Sequence, residues 1–298
     1  MIIGQAAKTL EKNHNYSYAE NMTLSDRNLV FKLGIVLSFL CFLICIIISI
    51  KVFPVYASME TEITRRSEGI FRALTGKLFN AKLPAVHCCI LVSVLYSLCS
   101  IILISHSFEK TLSPEILYVV FFAASFSFEA LRLIIPLGWV YEFPSLYQLT
   151  ASRIILLSRY FGIFSLFTAS VFAGGIKAQK QRNIIMIITV TTLIITLGVP
   201  IDTQVWDSSL NMINGYSSML RFIEMGTFLI TTISFFIAAW SRSSNEFVFI
   251  GAGSVLAFLG RNILLNADTW TELPIGLIFL AVGTWLMCTK LHKVYLWL

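Results

Sequence analysis

Long apolar runs separated by short polar breaks make up most of this chain. Eight of them are close to the roughly 20 residues that cross a bilayer as a helix. They cover about 29–52, 84–106, 115–137, 151–175, 183–200, 217–240, 246–265 and 273–291. The pattern predicts an all-α integral membrane protein, a polytopic bundle of about eight transmembrane helices over 29–298 behind a polar N-terminal tail, 1–28. The tail has no basic start followed by an apolar core, so it does not read as a cleaved signal peptide.

The breaks carry information too. Pro136, Gly138 and Pro144 interrupt the chain between the third and fourth runs, and Trp139 to Tyr147 ("WVYEFPSLY") is an aromatic connection suited to the membrane interface. Pro200 closes the fifth run. The long interval 53–83 has Ile63, Ser67, Ile70, Phe71, Leu74 and Leu78 at helical spacing, opposite Arg65, Arg66, Glu68, Arg72 and Lys77. That predicts one amphipathic surface helix within 58–80, lying on the membrane, on a partner, or across the end of the bundle itself. Ser158, Gly162, Ser165, Ala169 and Ala173 form a small-residue stripe in the fourth run, and Gly253 and Ala257 do so in the seventh; both predict close helix packing.

Composition narrows the class. With 57% hydrophobic residues, 13% charged and a mean hydropathy of +0.80, a soluble domain is excluded. The net charge of +6 is not interleaved with stacking aromatics, so nucleic acid is not an expected partner. The six cysteines lack metal-ligand spacing, and His87, His106 and His292 do not pair as haem ligands, so no cofactor or metal is expected. Lys8, Lys12, Arg27, Lys32, Lys110, Lys177, Lys180, Arg182, Arg242, Lys290 and Lys293 would share one side. Lys51, Arg65, Arg66, Arg72, Lys77 and Lys82 would lie on the other. The larger group favours cytoplasmic termini in a multi-pass cell-membrane protein, the inner membrane if the cell is bacterial.

Candidate chemistry lies in ionisable residues inside or at the ends of apolar runs. Glu129 and Arg132 end the third run, Arg153 and Arg159 begin the fourth, Arg221 and Glu224 open the sixth, and Arg261 with Asn262 closes the seventh. Eight crossings put all of these at one membrane level, because ends of odd runs and starts of even runs face the same side. Each acid is three residues from an arginine on its own helix, close enough to pair. Five arginines against two glutamates leave a surplus, which predicts an intramembrane site for an anionic small molecule or lipid headgroup. Ties between helices are the competing expectation. Arg153 and Arg159, six residues apart, point about 120° from each other, and Arg159 is the deeper.

No nucleotide loop or zinc-protease motif is present. Gly251 to Ser254 ("GAGS") offers a serine without an evident base, so no enzyme is expected. The expected function is a sensor or non-catalytic subunit of a membrane complex, with membrane lipid and a protein partner or oligomer around it. A sensor ending at "LHKVYLWL" would need its output from a partner. The alternatives are a transporter of a small organic or inorganic anion and an intramembrane lipid-modifying enzyme with Glu129 or Glu224 as base.

Overall fold

The computed structural model describes residues 24–52, 83–108, 113–176 and 178–296. The expected surface helix within 58–80 and residues 1–23 of the expected tail lie outside them.

Among the described residues, eight helical stretches are long and apolar enough to cross a membrane. In chain order the elements are α1 (Leu24–Val52), α2 (Leu83–Ser107), α3 (Pro114–Ser125), a 3₁₀ segment (Phe126–Leu133), α4 (Ile134–Tyr141), α5 (Ser145–Ala173), α6 (Gln181–Gly198), a hairpin of β1 (Ile201–Trp206) and β2 (Met212–Asn214), then α7 (Ser217–Ser241), α8 (Glu246–Leu265) and α9 (Glu272–Leu296). Helix α1 begins at Leu24, inside the expected tail, and α5 begins six residues ahead of the expected 151. Pro144 lies just before α5, where its fixed φ suits a helix start, so the aromatic connection is mostly helical.

The stretch Pro114–Gly138 is the centre of the bundle, 72% buried, while α1 is the most peripheral at 11%. Helices α5 and α8 are also mostly inside, whereas α6, α7 and α9 present apolar side chains such as Phe222, Trp240 and Trp285 outward. Sequence explains the close approaches. A Cβ on Gly162 would lie 2.5 Å from Ser125 Oγ, so the fourth run's small stripe lets α5 press on α3. A Cβ on Gly260 would strike Leu280 N and lie 2.7 Å from Gly276 O, and one on Gly283 would lie 2.7 Å from Gly253 O. Helices α8 and α9 therefore meet nearly backbone to backbone.

Two features were not expected. Residues 201–216 are no plain loop: β1 and β2 pair antiparallel, with Ile201 opposite Asn214 and Asp202 opposite Ile213. The third run also does not stay α-helical but tightens into eight residues of 3₁₀ helix within its buried part. Such runs seldom exceed three or four residues and mark strained or functional positions.

Candidate functional site

The 3₁₀ segment organises the charged layer. With three residues per turn, i and i+3 eclipse, so its side chains fall into three straight rows. Phe126, Glu129 and Arg132 form one buried row, and Ser127, Ala130 and Leu133 form another. Phe128, Leu131 and Ile134 make the half-buried third. The serine row faces α1 and α2, where Ser127 Oγ lies 2.7 Å from both Ser38 Oγ and Ser97 Oγ. These hydroxyls satisfy one another where no water is at hand.

The charged row meets α5 and the hairpin. Glu129, only 1% exposed, accepts two parallel hydrogen bonds from Arg159, Nε to Oε1 at 2.7 Å and Nη2 to Oε2 at 2.6 Å. Arg132 Nη1 donates to the same carboxylate at 3.3 Å, and its Nη2 donates to the carbonyl of Ser209 in the hairpin turn. Arg159 Nη2 also donates to Asn211 Oδ1 at 2.9 Å. Beside this group Arg261 Nη1 donates to Glu224 Oε1 at 2.5 Å and to Asn262 Oδ1 at 3.2 Å, while its Nη2 reaches the carbonyl of Arg159 at 3.3 Å.

Glu129, Arg132, Arg159, Glu224, Arg261 and Asn262 are thus brought together at one level, as the alternation of runs implies. Arg153 and Arg221 are not. Arg153 turns away from Arg159 around α5 and donates to the carbonyl of Leu197 on α6 at 3.3 Å. Arg221 is exposed at the start of α7. Same-helix spacing found the Glu129–Arg132 pair, whereas Glu224 is held across helices by Arg261 of α8. The surplus of cations falls to one over Glu129 and Glu224, and to none once Asp207 is counted. Three guanidinium groups meet Glu129 and Glu224, with Asp207 of the hairpin close enough to act on Arg132 and Arg159.

The hairpin turn is the contributor that sequence reasoning missed. Asp207 Oδ1 accepts from the backbone N–H groups of Ser209 and Asn211, each at 2.9 Å, an Asx turn that folds the tip on itself. Ser208 Oγ donates to Asp268 Oδ2 at 2.7 Å and Ser209 Oγ to the carbonyl of Asn266 at 2.9 Å. Leu210, at a positive φ of 58°, is fully buried in the apolar cluster that includes Cys45, Val86, Ala130 and Leu133. The tip is therefore wedged into the end of the bundle by one apolar side chain and fixed there by polar contacts. Alternating β-formers in "IDTQVW" followed by Asp-Ser-Ser were the available signal.

A cleft with about 20 Å³ of free space, enough for a water molecule, opens between α4, α5 and β2. Leu131, Ile134, Ile155 and Leu156 give it apolar walls, while Arg159, Asn211, Ser152 and Asn214 supply polar atoms. Arg159 is the one buried-layer arginine with appreciable exposure, 18% of its side chain. Elsewhere, His87 Nε2 lies 2.6 Å from Ser49 Oγ, a pairing that spacing along the chain does not signal. Among the described residues no three His, Cys, Asp or Glu side chains gather as they would around a metal.

No protein-family model, curated protein or solved structure matches this chain. The functional reading rests on the geometry alone.

Proposed function

We propose that this chain is a multi-pass membrane protein serving as a sensor or non-catalytic subunit of a membrane complex, and that the Arg159 cleft takes an anionic group. The outward apolar side chains of α1, α6 and α7, including Phe222 at 79% and Trp240 at 89% exposure, would be costly in water and favour a lipid surround. The observation that carries the ligand reading is the unequal use of the buried arginines. Arg132 and Arg261 are enclosed and each donates through two nitrogens to protein oxygens, with Arg132 Nε left buried and unpartnered, whereas Arg159 keeps 18% of its side chain exposed beside the cleft. Free space for one small group suits an oxygen of a headgroup or carboxylate arriving from outside, not a whole solute held within. Termini on the cytoplasmic side and the amphipathic segment within 58–80 docked on membrane or partner belong to the same reading.

A non-catalytic role fits the hydroxyls present. Ser49 Oγ lies 2.6 Å from both the carbonyl of Cys45 and His87 Nε2, so its single proton serves one of them at a time. Ser254 Oγ donates to the carbonyl of Gly251 at 2.7 Å. The interrupted third run favours one second reading, anion transport, because broken helices are common at transport sites.

Native mass spectrometry of protein isolated in mild detergent tests the choice. The expected result is a retained anionic lipid or small anion that Arg159→Gln loses, together with a stable protein partner. Anion uptake into liposomes by this chain alone would replace the sensor reading with transport.

A further inference from the structure

We propose that Asn211 is a built-in placeholder for one oxygen of the anion, and that a ligand binds by displacing its side-chain amide from Arg159. The proposal rests on the anion reading above and specifies its chemistry. A guanidinium offers two edges to a two-oxygen acceptor: Nε with Nη2, and Nη1 with Nη2. Glu129 fills the first edge of Arg159 completely, at 2.7 and 2.6 Å. The second edge is half filled, because Nη2 donates its other hydrogen to Asn211 Oδ1 at 2.9 Å. Nη1 makes no contact with Glu129 or Asn211, and its side chain lines the cleft.

The amide oxygen therefore stands where one oxygen of a carboxylate or phosphate would stand. A two-oxygen anion gains Nη1 and Nη2 together once that amide swings away. Moving it need not unfold the turn. Asn211 N donates to Asp207 Oδ1 at 2.9 Å and its carbonyl accepts from Asp207 N at 2.8 Å, so the backbone stays pinned while the side chain rotates. Ser152 and Asn214 line the same cleft and offer donors to the remaining ligand oxygens. The ligand class is a phosphate monoester or carboxylate with two oxygens in one plane. A chloride-like ion has no second oxygen to repay the displaced amide, so the placeholder selects against it.

The test uses the full chain in phosphatidylcholine nanodiscs with two probes, phosphatidate in the bilayer and inorganic phosphate in solution. Asn211→Ala removes the competitor and should tighten binding of at least one probe about fivefold, the worth of one ordinary net hydrogen bond. Asn211→Asp supplies a permanent competing carboxylate and should abolish binding, as should Arg159→Lys, which lacks the fork. Asn211→Ser, too short to reach Arg159, repeats the measurement should the alanine variant not fold. Phosphatidate alone responding identifies a lipid headgroup; phosphate responding identifies a soluble ligand. Binding that Arg159→Lys abolishes but Asn211→Ala leaves unchanged overturns the placeholder and keeps the anion site. Binding of neither probe to wild type or Asn211→Ala overturns both.

Discussion

Glu129 serves two guanidinium groups at once, so removing its charge leaves both without this carboxylate in surroundings that are mostly protein. Glu129→Gln is expected to cost about 3–5 kcal/mol, the usual penalty for stranding a buried charge, read as a fall in the thermal unfolding midpoint in detergent. Arg261→Gln should be destabilising for the same reason, and the double change with Glu224→Gln should recover much of the loss in a double-mutant cycle. Arg221→Gln should leave Glu224 paired, because Glu224 is held by Arg261, so a second change, Glu224→Gln, should not rescue it. The identity of the charged residues was legible in the sequence, since an ion within an apolar run stands out. Which of them pair was not. Spacing along one helix cannot report that α8 brings Arg261 against α7.

Most of the secondary structure at the scale of the element follows from run length, and the small-residue stripes correctly mark where helices touch. Gly260 and Gly226 show how far that argument goes. Gly260→Ala places a methyl group against the α9 backbone and should cost about 1–3 kcal/mol, whereas Gly226 has nothing within 4 Å of the added atom, so Gly226→Ala should be neutral or slightly stabilising. Parallel thermal unfolding of the two variants checks the contrast. The hairpin escaped detection because six residues of alternating β-formers between two long apolar runs resemble any connecting loop. Asp207→Ala removes two backbone hydrogen bonds at its tip and should raise the rate of protease cleavage at 207–211 while the helices remain intact. The 3₁₀ segment was equally hidden, because its charged pair Glu129 and Arg132, three residues apart, fits either period.

Under the proposed reading, eight crossings put both termini on one side and the hairpin on the other. Ser208, buried against Asp268, is a poor reporter of that arrangement, but Tyr216 and Gln179 are both exposed. In a cysteine-free background, Tyr216→Cys should react with an impermeant thiol reagent in intact cells and Gln179→Cys only after permeabilisation. Reversal of that pattern would place the hairpin inside the cell. The bundle as a whole was therefore readable from hydropathy, which reports what a segment can cross. The order of burial was less so: α1 is the more apolar, at a mean hydropathy of 3.1 against 1.7 for Pro114–Gly138, yet it lies at the edge and the third run at the centre. The difference is in the polar atoms: the central run carries Ser125, Ser127, Glu129 and Arg132, which need protein around them.

The three straight rows of the 3₁₀ segment have a consequence for how this sequence can drift. Each position in Phe126–Leu133 has its role set by its remainder on division by three, so single substitutions disturb one row at a time. Gaining or losing one residue is different in kind. A gain would turn everything downstream by about 120°, carrying Arg132 into the serine row and Leu131 into the row that meets the hairpin. Relatives of this chain are expected to vary freely in the lengths of their surface connections and to hold the count from Ser125 to Ile134 fixed, a spacing by which they could be told apart from other apolar bundles.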